Sequence, residues 1–228
     1  MTNFPITPDT VTATWLSDVL GFTVKGFKVI RFAEGTGILS MVTRVQLVTA
    51  PNNPQSIIAK FPSPDISTRA ITDTYGMYAR EVMFYQSIAD KVELRTPRCL
   101  YTALDPENNN FIMLLEDLGH LAVGDHVSGC TLTEAKYVLS ALARLHAGTW
   151  QASAFPNLIS HNNPNQVAGQ VNAFQVGWPK VNKLYPELIP ESAQIAGEKM
   201  PGAVARLVEE MCQEPICISH GDARLDNI

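Results

Sequence analysis

His220-Gly221-Asp222, followed by Asn227 five positions after the aspartate, is the densest group of chemistry-bearing residues in the chain. A histidine and an aspartate two apart can act as an acid/base pair or as metal ligands. The D-x-x-x-x-N spacing also lets one loop present both side chains to the same phosphate. The same residue types equally make an ordinary polar turn. Lys60, directly after the apolar run Ile57-Ile58-Ala59, and Glu81, in a stretch of helical periodicity, are a second cation and carboxylate whose pairing would be functional; each alone is more commonly a solvated surface residue. Gly35-Thr36-Gly37-Ile38-Leu39-Ser40 carries the first two glycines of G-x-G-x-x-G with serine at the third, a pattern shared with plain hairpin turns. No helix follows it, which excludes the dinucleotide-binding reading, and no G-x-x-x-x-G-K-[ST] occurs.

The elements that must position these residues are legible as a pattern. Thr7-Pro8-Asp9 reads as a cap, a first-turn proline and a first-turn acid, opening a helix closed by Gly21. Val24 to Phe32 and Met41 to Val48 read as a hairpin around Ala33-Glu34-Gly35-Thr36-Gly37, and Ser56 to Phe61 as a third strand that leaves Lys60 at its end. Tyr78, Val82, Tyr85 and Ala89 recur at helical spacing through a long helix containing Glu81. Pro97 to Leu104 and Asn110 to Leu115 read as two more strands, with a lobe boundary after the second. Thr131 and Glu134 form a capping-box pattern that opens a helix to His146, and Ala203 to Met211 reads as another. Residues 152–200 show aromatic points at Phe155, Phe174, Trp178 and Tyr185 without a clear element pattern, and Pro215 to Ile218 is a short β-like run into the His-Gly-Asp segment.

Composition bounds the function classes. With 228 residues, 46% of them apolar and 17% charged, the chain is an ordinary globular sequence that can bury a sizeable core. A net charge of −5 argues against a protein that lives on nucleic acid, because phosphate-backbone binding needs a basic face. The first residues lack a basic segment followed by an apolar one, and no window approaches the roughly 20 apolar residues of a membrane span. The expectation is a cytoplasmic protein with no membrane or nucleic-acid partner. Cys99, Cys130, Cys212 and Cys217 form no C-x-x-C pair, so neither a zinc site nor a disulfide framework is suggested.

Taken in order, the glycine turn, strand lysine, helix glutamate, interlobe strand and His-Gly-Asp with its following asparagine make the chain resemble the aminoglycoside phosphotransferase and choline kinase superfamily from about Phe22 to Ile228. Leu114-Leu115-Glu116-Asp117-Leu118-Gly119, Arg80 to Tyr85 and Leu142 to Ala147 look closest to the ecdysteroid-kinase-like branch and its bacterial relatives. The resemblance implies an α+β, bilobal protein-kinase-like fold: an N-terminal lobe over 1–116, with a small antiparallel sheet and one long helix, and a mainly helical C-terminal lobe over 117–228. It implies an ATP- and magnesium-dependent kinase that phosphorylates a hydroxyl of a small molecule. Asp222 would be the catalytic group that accepts or orients the hydroxyl proton, and Asn227 a magnesium ligand. Lys60 would pair the phosphates with Glu81 holding its ammonium, while backbone groups near Gly35, Thr36 and Gly37, with the Thr36 and Ser40 hydroxyls, would cover them. The main chains of Glu116 and Leu118 would contact the adenine edge, and His220 would brace the loop.

Superfamily members carry a further magnesium-binding aspartate in an Ile-Asp-Phe or Ile-Asp-Trp motif beyond the asparagine; none occurs here, and the fold is expected to be truncated after the catalytic loop, with the activity of this length of chain in doubt. The alternative is a catalytically impaired nucleotide-binding module of the same fold. Arg224-Leu225-Asp226-Asn227 is also similar to kinase-like domains associated with acyl-CoA dehydrogenases, which would imply a hydroxyacyl-CoA acceptor. A hydrolase using His220 and Asp222 directly is a third reading. The acidic balance fits a cationic acceptor, and the aromatic points of 152–185 fit an apolar alcohol equally well.

Overall fold

The computed structural model describes residues 3–32, 39–151 and 158–227. Gly35, Thr36, Gly37 and Phe155 lie outside them. The chain divides into two compact units, Met1–Pro156 with Cys217–Ile228, and Asn157–Ile216.

The first unit is built on five antiparallel strands: β1 (Gly26–Arg31), β2 (Ser40–Val48), β3 (Ser56–Pro62), β4 (Cys99–Asp105) and β5 (Asn110–Glu116), in the order β1-β2-β3-β5-β4. β5 is the last segment in sequence but sits inside the sheet, between β3 and β4, which is why Phe111-Ile112-Met113-Leu114-Leu115 is apolar at every position. Side chains on successive residues point to opposite faces. Ile57, Ala59 and Phe61 join Val45, Leu47, Ile112 and Leu114 in one core, which Val11, Leu16 and Val24 also enter. The other face packs Tyr78, Val82, Phe111, Met113 and Leu115 together, with Ile58 and Tyr85 at its margin.

Helix α1 (Ala13–Leu20) is capped by the Thr12 hydroxyl, which accepts from Trp15 N–H at 3.1 Å. The expected start at Thr7 is therefore displaced: Pro8–Thr10 is a separate 3-10 turn, and Thr12 is the residue that satisfies the orphan N–H. Gly21 ends α1 in the left-handed region, at φ 74°, as its position predicts. Two helices follow β3, α2 (Ile66–Thr74) and α3 (Met77–Ser87). Helix α2 has no counterpart in the expected pattern, and α3 ends earlier than its periodicity predicts, because Ala89 begins a 3-10 turn. Tyr78 and Val82 nonetheless mark the buried face of α3, as their spacing requires.

After β5 come α4 (Leu132–Gly148), with the Thr131–Glu134 capping box formed, α5 (Pro164–Leu184) and α6 (Glu191–Met211). α5 was not legible as a helix, and α6 begins well before Ala203, with Pro201 inside it. In the second unit the Trp178 ring stacks on Phe174 at 5.4 Å and lies against Gly197, where a Cβ would overlap the indole. Residues 215–218 are not a strand. Instead, the Ile218 N–H donates at 3.0 Å to the hydroxyl of Thr149, the buried residue that closes α4.

Candidate active site

Lys60 lies within β3, opposite Val42 of β2 and Met113 of β5. Its Nζ is 2.5 Å from Oε1 of Glu81, one turn after Tyr78 on α3. The two side chains are 20% and 34% exposed, so this is a partly hydrated pair. Pairs of that kind contribute about 0–1 kcal/mol, whereas burying each large apolar side chain contributes about 1.5–3 kcal/mol. Tyr78 and Val82 therefore dock α3, and the docked helix delivers Glu81 to Lys60. The Tyr78 hydroxyl extends this arrangement: it accepts from Ser63 N–H at 3.0 Å, just past β3, and donates to Leu39 O at 2.7 Å, just before β2. Ser40 opens β2 opposite Pro62.

The chain leaving β5 is held on two sides. The Glu116 carboxylate accepts from Arg95 at 2.9 Å and from Arg98 N–H at 3.0 Å; the Arg98 N–H and the Arg95 guanidinium hold it below its ordinary carboxylate range despite some burial. The Glu116 N–H is committed to Arg98 O at 2.8 Å. Leu118 O accepts from Leu121 N–H, and the Leu118 N–H has no hydrogen-bond partner among the described residues. Between them, Asp117 accepts from Arg44 Nε at 2.6 Å and Nη2 at 3.0 Å, from Ser56 Oγ at 2.6 Å and from Gly119 N–H at 2.9 Å. Burial pushes this carboxyl up, but the Arg44, Ser56 and Gly119 donors outweigh it and hold it low.

Asp222 sits in an exposed loop with local partners. Asn227 Nδ2 donates to its carboxylate at 2.9 Å and to its carbonyl at 3.1 Å, and Arg224 Nε lies 3.2 Å from the same carboxylate. The Asp222 N–H donates to His220 Nδ1 at 3.3 Å, a brace across the turn. Gly221 takes φ 81°, the left-handed geometry that explains a glycine between His220 and Asp222. The loop is seated at Gly124, where a Cβ would strike the Leu225 carbonyl. Five-residue spacing thus does bring Asp222 and Asn227 together, while no hydrogen bond or ion pair joins them to Lys60 or Glu81 among the described residues.

Among the described residues no group of three or more His, Cys, Asp or Glu side chains could hold a metal ion by itself. What the loop offers is oxygen: the Asp222 carboxylate and the carbonyl half of the Asn227 amide. That donor set fits a hard cation such as magnesium, which takes one or two protein oxygens and keeps water and phosphate for the rest.

Lys60, Glu81, Asp222 and Asn227 stand out in the sequence; Arg44, Asp117 and Ser56 do not, and Tyr78 reads there only as part of the apolar face of its helix. Arg44 and Ser56 reach Asp117 across 73 and 61 residues of chain, and Tyr78 reaches Leu39 across 39, separations that no local pattern spans.

An antiparallel five-stranded sheet with a docked helix that pairs its glutamate with a strand lysine, followed by helices, is the α+β kinase-like fold. Residues 34–228 match the ecdysteroid kinase-like family, and the chain belongs to that family. The family is one of kinase-like phosphotransferases of the small-molecule class. None of the curated proteins it was compared with matches it.

Proposed function

We propose that the protein transfers the γ-phosphoryl group of ATP, with magnesium, to a hydroxyl group of a small molecule. The observation that carries this reading is the 2.5 Å Lys60–Glu81 pair, delivered by α3 to the middle of the sheet. A cation at that position, held by a carboxylate, is poised for the α- and β-phosphates. The Glu116 carbonyl and the Leu118 N–H would meet the adenine edge, with the lobe boundary falling at 116–117. Asp222 would accept the proton of the acceptor hydroxyl as its oxygen bonds phosphorus and ADP leaves, while Arg224 and Asn227 hold the carboxylate in place. Asn227 would contact magnesium through its amide oxygen, and the ion's charge would neutralise the phosphate oxygens. Glycine-rich backbone over 35–37 and the Ser40 hydroxyl would cover the same phosphates.

The test is calorimetric titration of ATP, with and without magnesium, into the wild type and Lys60→Ala. Saturable binding that the substitution weakens about 10- to 100-fold is expected, the loss of one charge-assisted contact. Unchanged affinity in Lys60→Ala would sink the reading. Equal binding with and without magnesium, and no product with any alcohol tried, would instead favour a nucleotide-binding module without turnover.

A further inference from the structure

The Arg44 guanidinium ties three separated segments together. Toward one side it forms the two-point contact with Asp117; toward the other its Cζ lies 5.5 Å from the centre of the Phe32 ring, at the residue that leads into the glycine-rich segment. Asp117 is 8% exposed and receives its four hydrogen bonds from β2, β3 and its own turn. Gly119 leaves room for this packing, since a Cβ there would collide with the Arg44 guanidinium. An open groove of about 720 Å³ borders the cluster, lined by Lys28, Arg44, Gln46, Ser56, Asp117 and His120 among others. Arg44 pairs with Ile58 and Val42 with Lys60, so by strand alternation Arg44, Ser56 and Lys60 share a sheet face.

We propose that Arg44 and Asp117 are positioning residues for base recognition, fixing the turn so that the Glu116 carbonyl and the Leu118 N–H keep the spacing that an adenine edge needs. The inference rests on the nucleotide reading above. The acceptor and donor flanking Asp117 complement the amino group and ring nitrogen of adenine, whereas guanine presents an oxygen and a protonated ring nitrogen at those positions and reverses both. The charge-assisted fork of Arg44 sets the turn in one orientation, and a lysine in its place would hold the charge without the fork.

Calorimetry with adenosine, guanosine and ATP on the wild type, Asp117→Asn, Arg44→Lys and Lys60→Ala separates the possibilities. The wild type is expected to prefer adenosine to guanosine, and Asp117→Asn and Arg44→Lys to lower the adenosine affinity about tenfold, within the range of ordinary coupling between sites, with guanosine less affected. Lys60→Ala should weaken ATP and leave adenosine unchanged. If Asp117→Asn does not fold by circular dichroism, Gly119→Ala carries the test, because it crowds Arg44 without removing a charge. An unchanged adenosine-to-guanosine ratio in the folded variants overturns the inference and leaves the nucleotide reading standing; a wild type that binds neither adenosine nor ATP overturns both.

Discussion

Asp117 and Asp222 are both held by an arginine and by side-chain amide, hydroxyl or backbone donors, yet their settings are opposite. Asp117 is 8% exposed and its arginine lies on a strand 73 residues earlier. Asp222 is 63% exposed and its partners are Arg224 and Asn227, two and five residues on. A carboxylate gripped by distant elements resists displacement because moving it disturbs the sheet. One gripped by its own loop stays accessible to water and to an incoming hydroxyl, with its orientation preset by a short stretch of chain. The first arrangement suits a brace and the second suits a group that must touch a substrate.

That contrast can be broken experimentally. The largest expected effect is on turnover: Asp222→Ala should lower it by about 10²- to 10⁴-fold, the usual contribution of a positioned base, without shifting the thermal midpoint. A variant that lost stability rather than rate would place Asp222 with the braces. Next comes Tyr78→Phe, which keeps the ring on Phe111 but strips the contacts to Ser63 and Leu39. Leaving the buried Ser63 N–H unpaired should cost about 1–3 kcal/mol in urea unfolding; no change would mean that water replaces the hydroxyl.

The smallest expected effect is on the acid limb of stability. Asp117 is held below its ordinary value in the folded state, so its contribution is present above the unfolded pKa, about 4, and lost as pH falls through the folded value. Thermal midpoints should therefore drop more steeply below about pH 4 in the wild type than in Asp117→Asn. Parallel acid limbs would show that Arg44 and Ser56 do not favour the charged form.

The same contrast explains what was legible in the sequence. Asp222–Asn227 and the Thr131–Glu134 box are local: spacing put the first pair on one loop and predicted the second as a capping box, and both pairs are in hydrogen-bond contact. The strands were readable because alternation and β-branched residues marked them, and Lys60 with Glu81 because each sat in a readable element. Arg44 with Asp117, and Tyr78 with Leu39, depend on which strands become neighbours. Nothing in the local pattern of 110–116 says that this last strand inserts next to β3. Helix α5 escaped notice because Pro164 and Pro179 punctuate it and its polar and apolar residues lack a clean stripe, although Asn163 caps it.

The position of the indole rings has an optical consequence. Of the three tryptophans, Trp15 packs edge-on against Tyr101 at 5.5 Å beside the sheet, and Trp178 rests on Gly197 between α5 and α6. Trp150 is 56% exposed. Emission from Trp15 and Trp178 should shift to longer wavelength as each leaves its packing, over a nearly constant background from Trp150. The two compact units thus each carry a natural fluorophore, and their unfolding can be followed separately, without a label, by replacing one tryptophan with phenylalanine at a time.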